Sequence, residues 1–166
     1  MATYKKLIIQ QQTYDGSQYT NVGSAIDTYA TYKVACQEFP FKLFPESKEQ
    51  PKRDWFDEDG EDVYISSEGI KVKAYDIEVK FLYVGKEADM ATDLKNFINF
   101  LYGRNANGSS LLAIYDEYTQ TGRRGMYVLS HSNDLFFYND SSAEAIASFK
   151  VKFRVTDPVT DVTLTV

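Results

Sequence analysis

At 166 residues, with 43% hydrophobic and 25% charged side chains, the chain has the size and composition of one folded domain rather than a disordered segment. Its net charge of −6 comes from 24 acidic and 18 basic residues, and the cations cluster only as Lys5-Lys6, Lys52-Arg53 and Arg123-Arg124. That argues against non-specific duplex DNA binding as the main activity, because counterion release needs many cations on one surface.

In chain order, Tyr4 to Gln11 reads as a first strand, and Thr13 to Ser24 ("TYDGSQYTNVGS") as a turn-rich connection. Tyr29 to Phe41 alternates, with Tyr32, Val34 and Cys36 on one face, and predicts a second strand closed by Pro40 and Pro45. Residues 44–69 then form a long acidic loop with a short strand at Val63 to Ser66. Ile70 to Val84 carries the strongest alternation, with Tyr75, Ile77, Val79, Phe81 and Tyr83 on one side and a parity slip near Ala74.

One amphipathic helix follows over about residues 86–102, its stripe formed by Met90, Ala91, Leu94, Phe97, Ile98 and Leu101, with Gly103 at its C-terminal end. "LLAIYDEY" and "GMYVLSHS" predict two more strands joined by a turn, "TQTGRRG", which places Arg123 and Arg124 at an exposed hairpin tip; "DLFFYNDSS" begins another extended piece. Glu144 to Val155 is the last long strand, with Phe149, Val151, Phe153 and Val155 facing one way and Lys150, Lys152 and Arg154 the other; Pro158 interrupts before a short tail. Seven to nine strands around a single helix imply a mainly β (α+β) fold: one domain, 1–166, built as an antiparallel β-sandwich or barrel with one flanking helix. No apolar run approaches the length of a membrane span, and no signal peptide is visible.

The stretch Asp54 to Asp62, "DWFDEDGED", holds six carboxylates and no base, so the rest of the chain is balanced at 18 acidic against 18 basic residues. Read as a calcium loop with Gly60 at its sixth position, it puts Trp55 first and Ser66 last, and neither can serve there. An irregular calcium site from Asp57, Asp59 and Asp62 remains a weak alternative to a solvated turn bent at Gly60. Flexible acidic residues do not impose the fixed separation that paired carboxylates need for glycoside hydrolysis.

His131, the only histidine, neighbours Ser130, Ser132 and Asp134, but adjacent strand residues point to opposite faces, and no nucleophile-elbow motif is present. Cys36 reads as a small core residue; with one Cys and one His, disulfides and His/Cys metal centres are excluded. No phosphate-cradling glycine motif occurs. No cofactor and no catalytic residue is therefore expected, and a hydrolase is the least supported alternative.

Three segments resemble the tail-tube-related proteins of long-tailed bacteriophages and prophages, including the distal-tail group. They are "DWFDEDGEDVYI" running into "IKVKAYDIEVKFLYVG", the helix "ADMATDLKNFINFLYG", and the hairpin "LLAIYDEYTQTGRRGMYV", together Asp54 to Val128. The resemblance implies a non-catalytic virion component, assembled in the bacterial host's cytoplasm into a ring, often hexameric, with other tail proteins as partners and DNA only as passing cargo. Distal-tail members often carry an added C-terminal domain, whereas tube members stack into polymers. Interface candidates on this view are Trp55, Asp57, Glu58, Asp59, Arg123 and Arg124. The residues alone leave open a carbohydrate-binding β-sandwich in which Trp55, Tyr64 or other exposed aromatics stack on sugar rings.

Overall fold

In a computed structural model, residues 5–39, 41–139 and 143–166 are described, and of 133–139 the backbone only. Their elements are β1 (Leu7–Tyr14), β2 (Tyr19–Asp27), α1 (Thr28–Tyr32), β3 (Val34–Glu38), β4 (Lys52–Arg53), β5 (Asp62–Val63), β6 (Tyr75–Lys86), α2 (Glu87–Leu101), β7 (Leu111–Asp116), β8 (Thr121–Asn139) and β9 (Glu144–Val155). Seven strands make one sheet in the order β2-β1-β7-β8-β9-β6-β3, every neighbour antiparallel. The fold is mainly β with one substantial helix, as the strand periodicity requires.

Chain connectivity forces this sheet to curl. Its two edges, β2 and β3, are consecutive in sequence and joined only by α1 and Lys33. Edge strands of a flat seven-stranded sheet would stand about 29 Å apart, while a helical link of this length spans about 10 Å. The sheet therefore wraps round its core like an incompletely closed barrel. On the concave side, alternate residues of β6 (Tyr75, Ile77, Val79, Phe81, Tyr83) and of β9 (Ala145, Ala147, Phe149, Val151, Phe153, Val155) form the core with Leu7, Ile9, Val34, Leu112, Ile114 and Met126.

Helix α2 lies against this side. Phe97, with no exposed surface, meets Phe81, Phe149 and Tyr32 at ring-centroid distances of 5.3, 6.1 and 5.7 Å. Gly103 ends the helix at φ 68°, and a side chain there would strike the Ser109 backbone. The predicted helical stripe is present except for Ala91, which is exposed.

Three expectations change. Thr13 to Ser24 is not a loop. It is a tight turn (the Asp15 amide donates to Gln18 O at 3.3 Å) followed by edge strand β2, whose polar residues suit a solvated strand. A bulge separates the pairs Ile9↔Ile26 and Gln11↔Val22, and the Gln10 amide fills it by donating to the carbonyls of Val22 and Gly23. The first half of the second predicted strand is helix α1, because Asp27 caps the amides of Tyr29 and Ala30, and Lys33 turns left-handed at φ 58°. The parity slip near Ala74 marks the start of β6 at Tyr75 rather than a bulge within one strand. Pro40 lies outside the described residues, and the "DLFFYN" segment continues β8.

Arg123 and Arg124 are not at a hairpin tip. They lie within β8, and both hold the chain that follows β9. Arg123 is only 4% exposed and donates to Asp161; Arg124 donates to Asp157 at 2.8 Å and lies over the Tyr19 ring at 4.6 Å. A bulge between β7 and β8, with Gly125 at φ 64°, lets adjacent side chains serve one segment. Burial opposes ionisation of Asp157, but the hydrogen bonds from Arg124 and Thr160 outweigh it and hold the carboxyl below its usual range. The Thr156 amide to Gly125 O, at 3.0 Å, and the Val162 amide to Gly122 O, at 3.3 Å, complete this C-terminal strap.

Candidate functional site

Between β3 and β6 the chain leaves the barrel and returns as a two-legged arm. At its base Ser47 bridges Val72, flanked by hydrogen bonds of 2.7 Å from the Lys48 amide to Lys71 O and from the Lys73 amide to Glu46 O. Further out, Lys52 pairs with Val63 and Arg53 with Asp62, forming a two-stranded sheet separate from the large one. The short strand expected at Val63 to Ser66 is not formed as such: β5 covers only Asp62–Val63, paired with β4, and Tyr64 to Ser66 lie outside it. Gly60, at φ 89°, bends the tip, as the glycine in the acidic stretch predicts.

Every residue from 51 to 65 is exposed. Phe56 is 99% and Phe44 93% accessible, and Leu43, Trp55, Val63, Tyr64 and Ile65 are also open to solvent. Internal support is thin. Lys52 meets Glu61 at 3.2 Å, and the Arg53 guanidinium lies 5.0 Å from the Trp55 ring centre. Exposed contacts of these kinds contribute about 1 kcal/mol or less each.

The carboxylates of Asp57, Glu58 and Asp59 all lie on the exposed tip. Among the described residues, no three His, Cys, Asp or Glu side chains converge as a metal-holding group, so Asp57, Asp59 and Asp62 are not brought together. A shallow depression of about 360 Å³ runs along Pro51, Arg53, Asp62 and Tyr64 on the arm.

A second surface emerges on the convex side of the barrel. Outward residues of β6 (Asp76, Glu78, Lys80) lie opposite Arg154, Lys152 and Lys150 of β9. Asp76 takes Arg154 at 2.9 Å and Lys152 at 3.6 Å, and Glu78 takes Lys150 at 3.0 Å. The Arg154 hydrogen bond is the main reason the Asp76 carboxyl lies below its usual range. Lys80 stands directly opposite Lys150, and like charges so placed destabilise a sheet. Glu38 of β3 is in register with Lys80 from the other side but forms no ion pair with it. Exposed Tyr127, Leu129 and Ile146 border this charged row. Sequence alternation reveals Lys150, Lys152 and Arg154; only the strand pairing adds Lys80.

The remaining reactive side chains lie elsewhere. His131 pairs with Val151 on the concave side, and its Nδ1 is 3.0 Å from Tyr102 Oη; Ser130 and Ser132 pair with Lys152 and Lys150 on the convex side. The Ser-His cluster of the sequence is therefore split between faces. Cys36 lines a cleft of about 290 Å³ with Lys5, Asp116 and Tyr118. Burial first, and then the Asp116 charge, push its thiol up to about 12. A neutral thiol is the opposite of what a cysteine nucleophile needs.

Fold and surfaces thus define a curled antiparallel β-sheet protein with one packed helix and a projecting arm. Among known proteins, no family model matches the chain, and no curated protein matches it.

Proposed function

We propose that this protein is a non-catalytic structural component of a bacteriophage or prophage tail, assembling with copies of itself into a ring that forms part of the tail conduit or distal tail. What supports this most is the arm. A two-stranded hairpin is marginally stable alone, and one that presents Trp55, Phe56 and Tyr64 to water, with Phe44 exposed just before its base, has the character of a surface made to be covered. Members of the tail-tube-related group resemble one another in a β-sandwich or barrel flanked by one helix, and the mainly β fold with one packed helix is compatible with that. Other tail proteins are the expected neighbours of the ring, and DNA passes through it without specific contacts.

Light scattering and negative-stain microscopy of the purified chain test this. Closed rings are expected; a strictly monomeric particle at roughly tens of micromolar, where a micromolar interface is populated, overturns it. Trp55 and the Tyr64-lined depression favour sugar binding as a second reading. Glycan-array hits abolished by Trp55→Ala, in a protein that forms no ring, decide for that alternative.

A further inference from the structure

We infer that one leg of the arm, residues 63–66, adds as an extra strand to the free edge of β8 in a second copy of this chain, a contact that rests on the assembly proposed above. Strand β7 pairs with β8 only as far as Leu112↔Met126, whereas β9 pairs with it up to Asn139. Among the described residues, no strand therefore lies beside residues 127–139 on the β7 side, and their outward amides and carbonyls form an open edge. Folded proteins guard such edges with charges, proline or a covering element. From Tyr127 to Asn133 the sequence has no Asp, Glu, Lys, Arg or Pro, and Tyr127, Leu129, Ser130, His131 and Ser132 are exposed.

This edge also has hollows for side chains. One of about 350 Å³ is lined by Leu101, Tyr102, Leu111, Tyr127 and Val128, and another of the same size by Met90, Leu94, Ile98 and His131. The Tyr102 hydroxyl and His131 Nδ1, 3.0 Å apart, join their walls. An added strand gains affinity from main-chain hydrogen bonds and specificity from alternate side chains in such hollows.

The donor is a strand signal that the monomer leaves unused. Val63, Tyr64 and Ile65 have high β propensity, yet only Val63 belongs to β5, and all three are exposed. The Tyr64 amide donates to Pro51 O at 2.9 Å, on the β4 side. Amides alternate in direction along a strand, so those of Val63 and Ile65 point away from β4 and are open to a further partner. Val63 and Ile65 also share one face, which offers two aliphatic side chains to the hollows, and residues 63–66 are as free of charge as the edge.

The course of the edge makes the partner a second copy. The arm enters β6 at Tyr75, which is level with Met126 through Val155. From there the free edge runs toward the level of Lys86, away from the arm's root. Pro51, opposite Tyr64, is four residues past Ser47, so the leg reaches no more than about 13 Å from the base of the arm. Each copy then gives its arm to one neighbour and its β8 edge to the other, an arrangement that closes into a ring or extends into a filament.

Hydrogen exchange of the full chain, compared between the dilute monomer and the assembled protein, tests the main-chain pairing. The amides of Val128 to Ser132 and of Ile65 are expected to slow about tenfold or more on assembly. Unchanged exchange at both places in rings overturns the contact while the ring assignment stands; a wild type that stays monomeric overturns both. Slowing at β8 together with edge strand β2, in place of the arm, assigns the edge to a neighbour's β2 and also overturns the contact. Two sets of variants separate backbone from side chain. Ile65→Pro removes the outward amide and is expected to raise the assembly midpoint about tenfold or more, whereas Ile65→Ala keeps the amide and has a smaller effect. Tyr127→Lys with Leu129→Lys puts guarding charges on the edge and is expected to act like Ile65→Pro. Equal assembly by the Pro and Ala variants, or unchanged assembly of the β8 variant, overturns the pairing. Circular dichroism checks each fold, and should a variant unfold, the exchange measurement on the wild type decides.

Discussion

The barrel and the arm both carry large apolar side chains, and those side chains have opposite fates. On β6, Tyr75, Ile77, Val79, Phe81 and Tyr83 alternate with chiefly polar residues and are buried, whereas in the mostly polar stretch from Leu43 to Ile70 the large apolar residues, Phe44, Phe56 and Tyr64 among them, are exposed. Layering accounts for the difference. Strand β6 has β9 and β3 beside it and α2 across its concave face, so alternate side chains find a second layer. The arm has only two strands in its own sheet, and every residue from 51 to 65 is exposed. On the assembly proposed above, a neighbouring copy supplies the covering layer, so that the barrel's stability is a property of the monomer and the arm's contribution one of association.

The comparison breaks most visibly at Phe97. Its ring has no exposed surface and sits among Phe81, Phe149 and Tyr32, so Phe97→Ala opens a cavity where α2 meets the sheet. Large-to-small core changes of this kind cost about 3–5 kcal/mol. Urea unfolding of the monomer is expected to show a loss of that size with an unchanged denaturant slope. A loss below about 1 kcal/mol, the ordinary effect of a point mutation, shows that α2 is not the second layer described.

Alkali is expected to give a smaller effect, confined to the barrel. Burial, ahead of Asp116, raises Cys36 from 9.0 to about 12, and burial, ahead of the Asp93 hydrogen bond, raises Tyr83 from 10.0 to about 12. Both groups are neutral in the fold while their unfolded counterparts ionise, so their contribution is fully present below pH 9 and is lost as pH rises through about 12. Unfolding midpoints should fall across that window, and Cys36→Ala should flatten the part that begins near pH 9. An identical slope in that variant shows that the thiol does not titrate with unfolding.

Much of the barrel was legible in the sequence because its strands keep strict period two. Phe149, Val151, Phe153 and Val155 against Lys150, Lys152 and Arg154 give β9 within its observed bounds, and the three-and-four spacing of Leu94, Phe97, Ile98 and Leu101 gives α2. Helix α1 was hidden because Tyr29 to Tyr32 alternates like a strand, while the deciding contacts are an Asp27 cap and a left-handed Lys33. Strand β2 was hidden by its polarity, which suits an edge as well as a loop. The strap was illegible for another reason. Arg123 and Arg124 find Asp161 and Asp157 more than thirty residues away, a distance that no local spacing encodes. On the arm, the acidic stretch and its glycine bend could be read, but the pairing of Lys52-Arg53 with Asp62-Val63 has no periodic signature.

The smallest expected effect is the sharpest test of the contrast. Phe56 is 99% exposed, so in the monomer its ring keeps nearly all its contact with water whether the chain is folded or not. Transfer free energy follows area removed from water, and here almost none is removed. Phe56→Ala should therefore change the urea midpoint of the monomer by no more than the equivalent of about 0.5 kcal/mol, the range of surface substitutions away from special features. The same ring changes from bystander to anchor if a neighbour covers it, since aromatic residues at the centre of an interface contribute about 2 kcal/mol or more when truncated. Measured on one variant, an unchanged monomer with weakened association places the aromatic tip of the arm in an intermolecular contact. A monomer destabilised as strongly as Phe97→Ala would instead mean that the arm folds back onto its own barrel in solution, and the division between the two regions would fail.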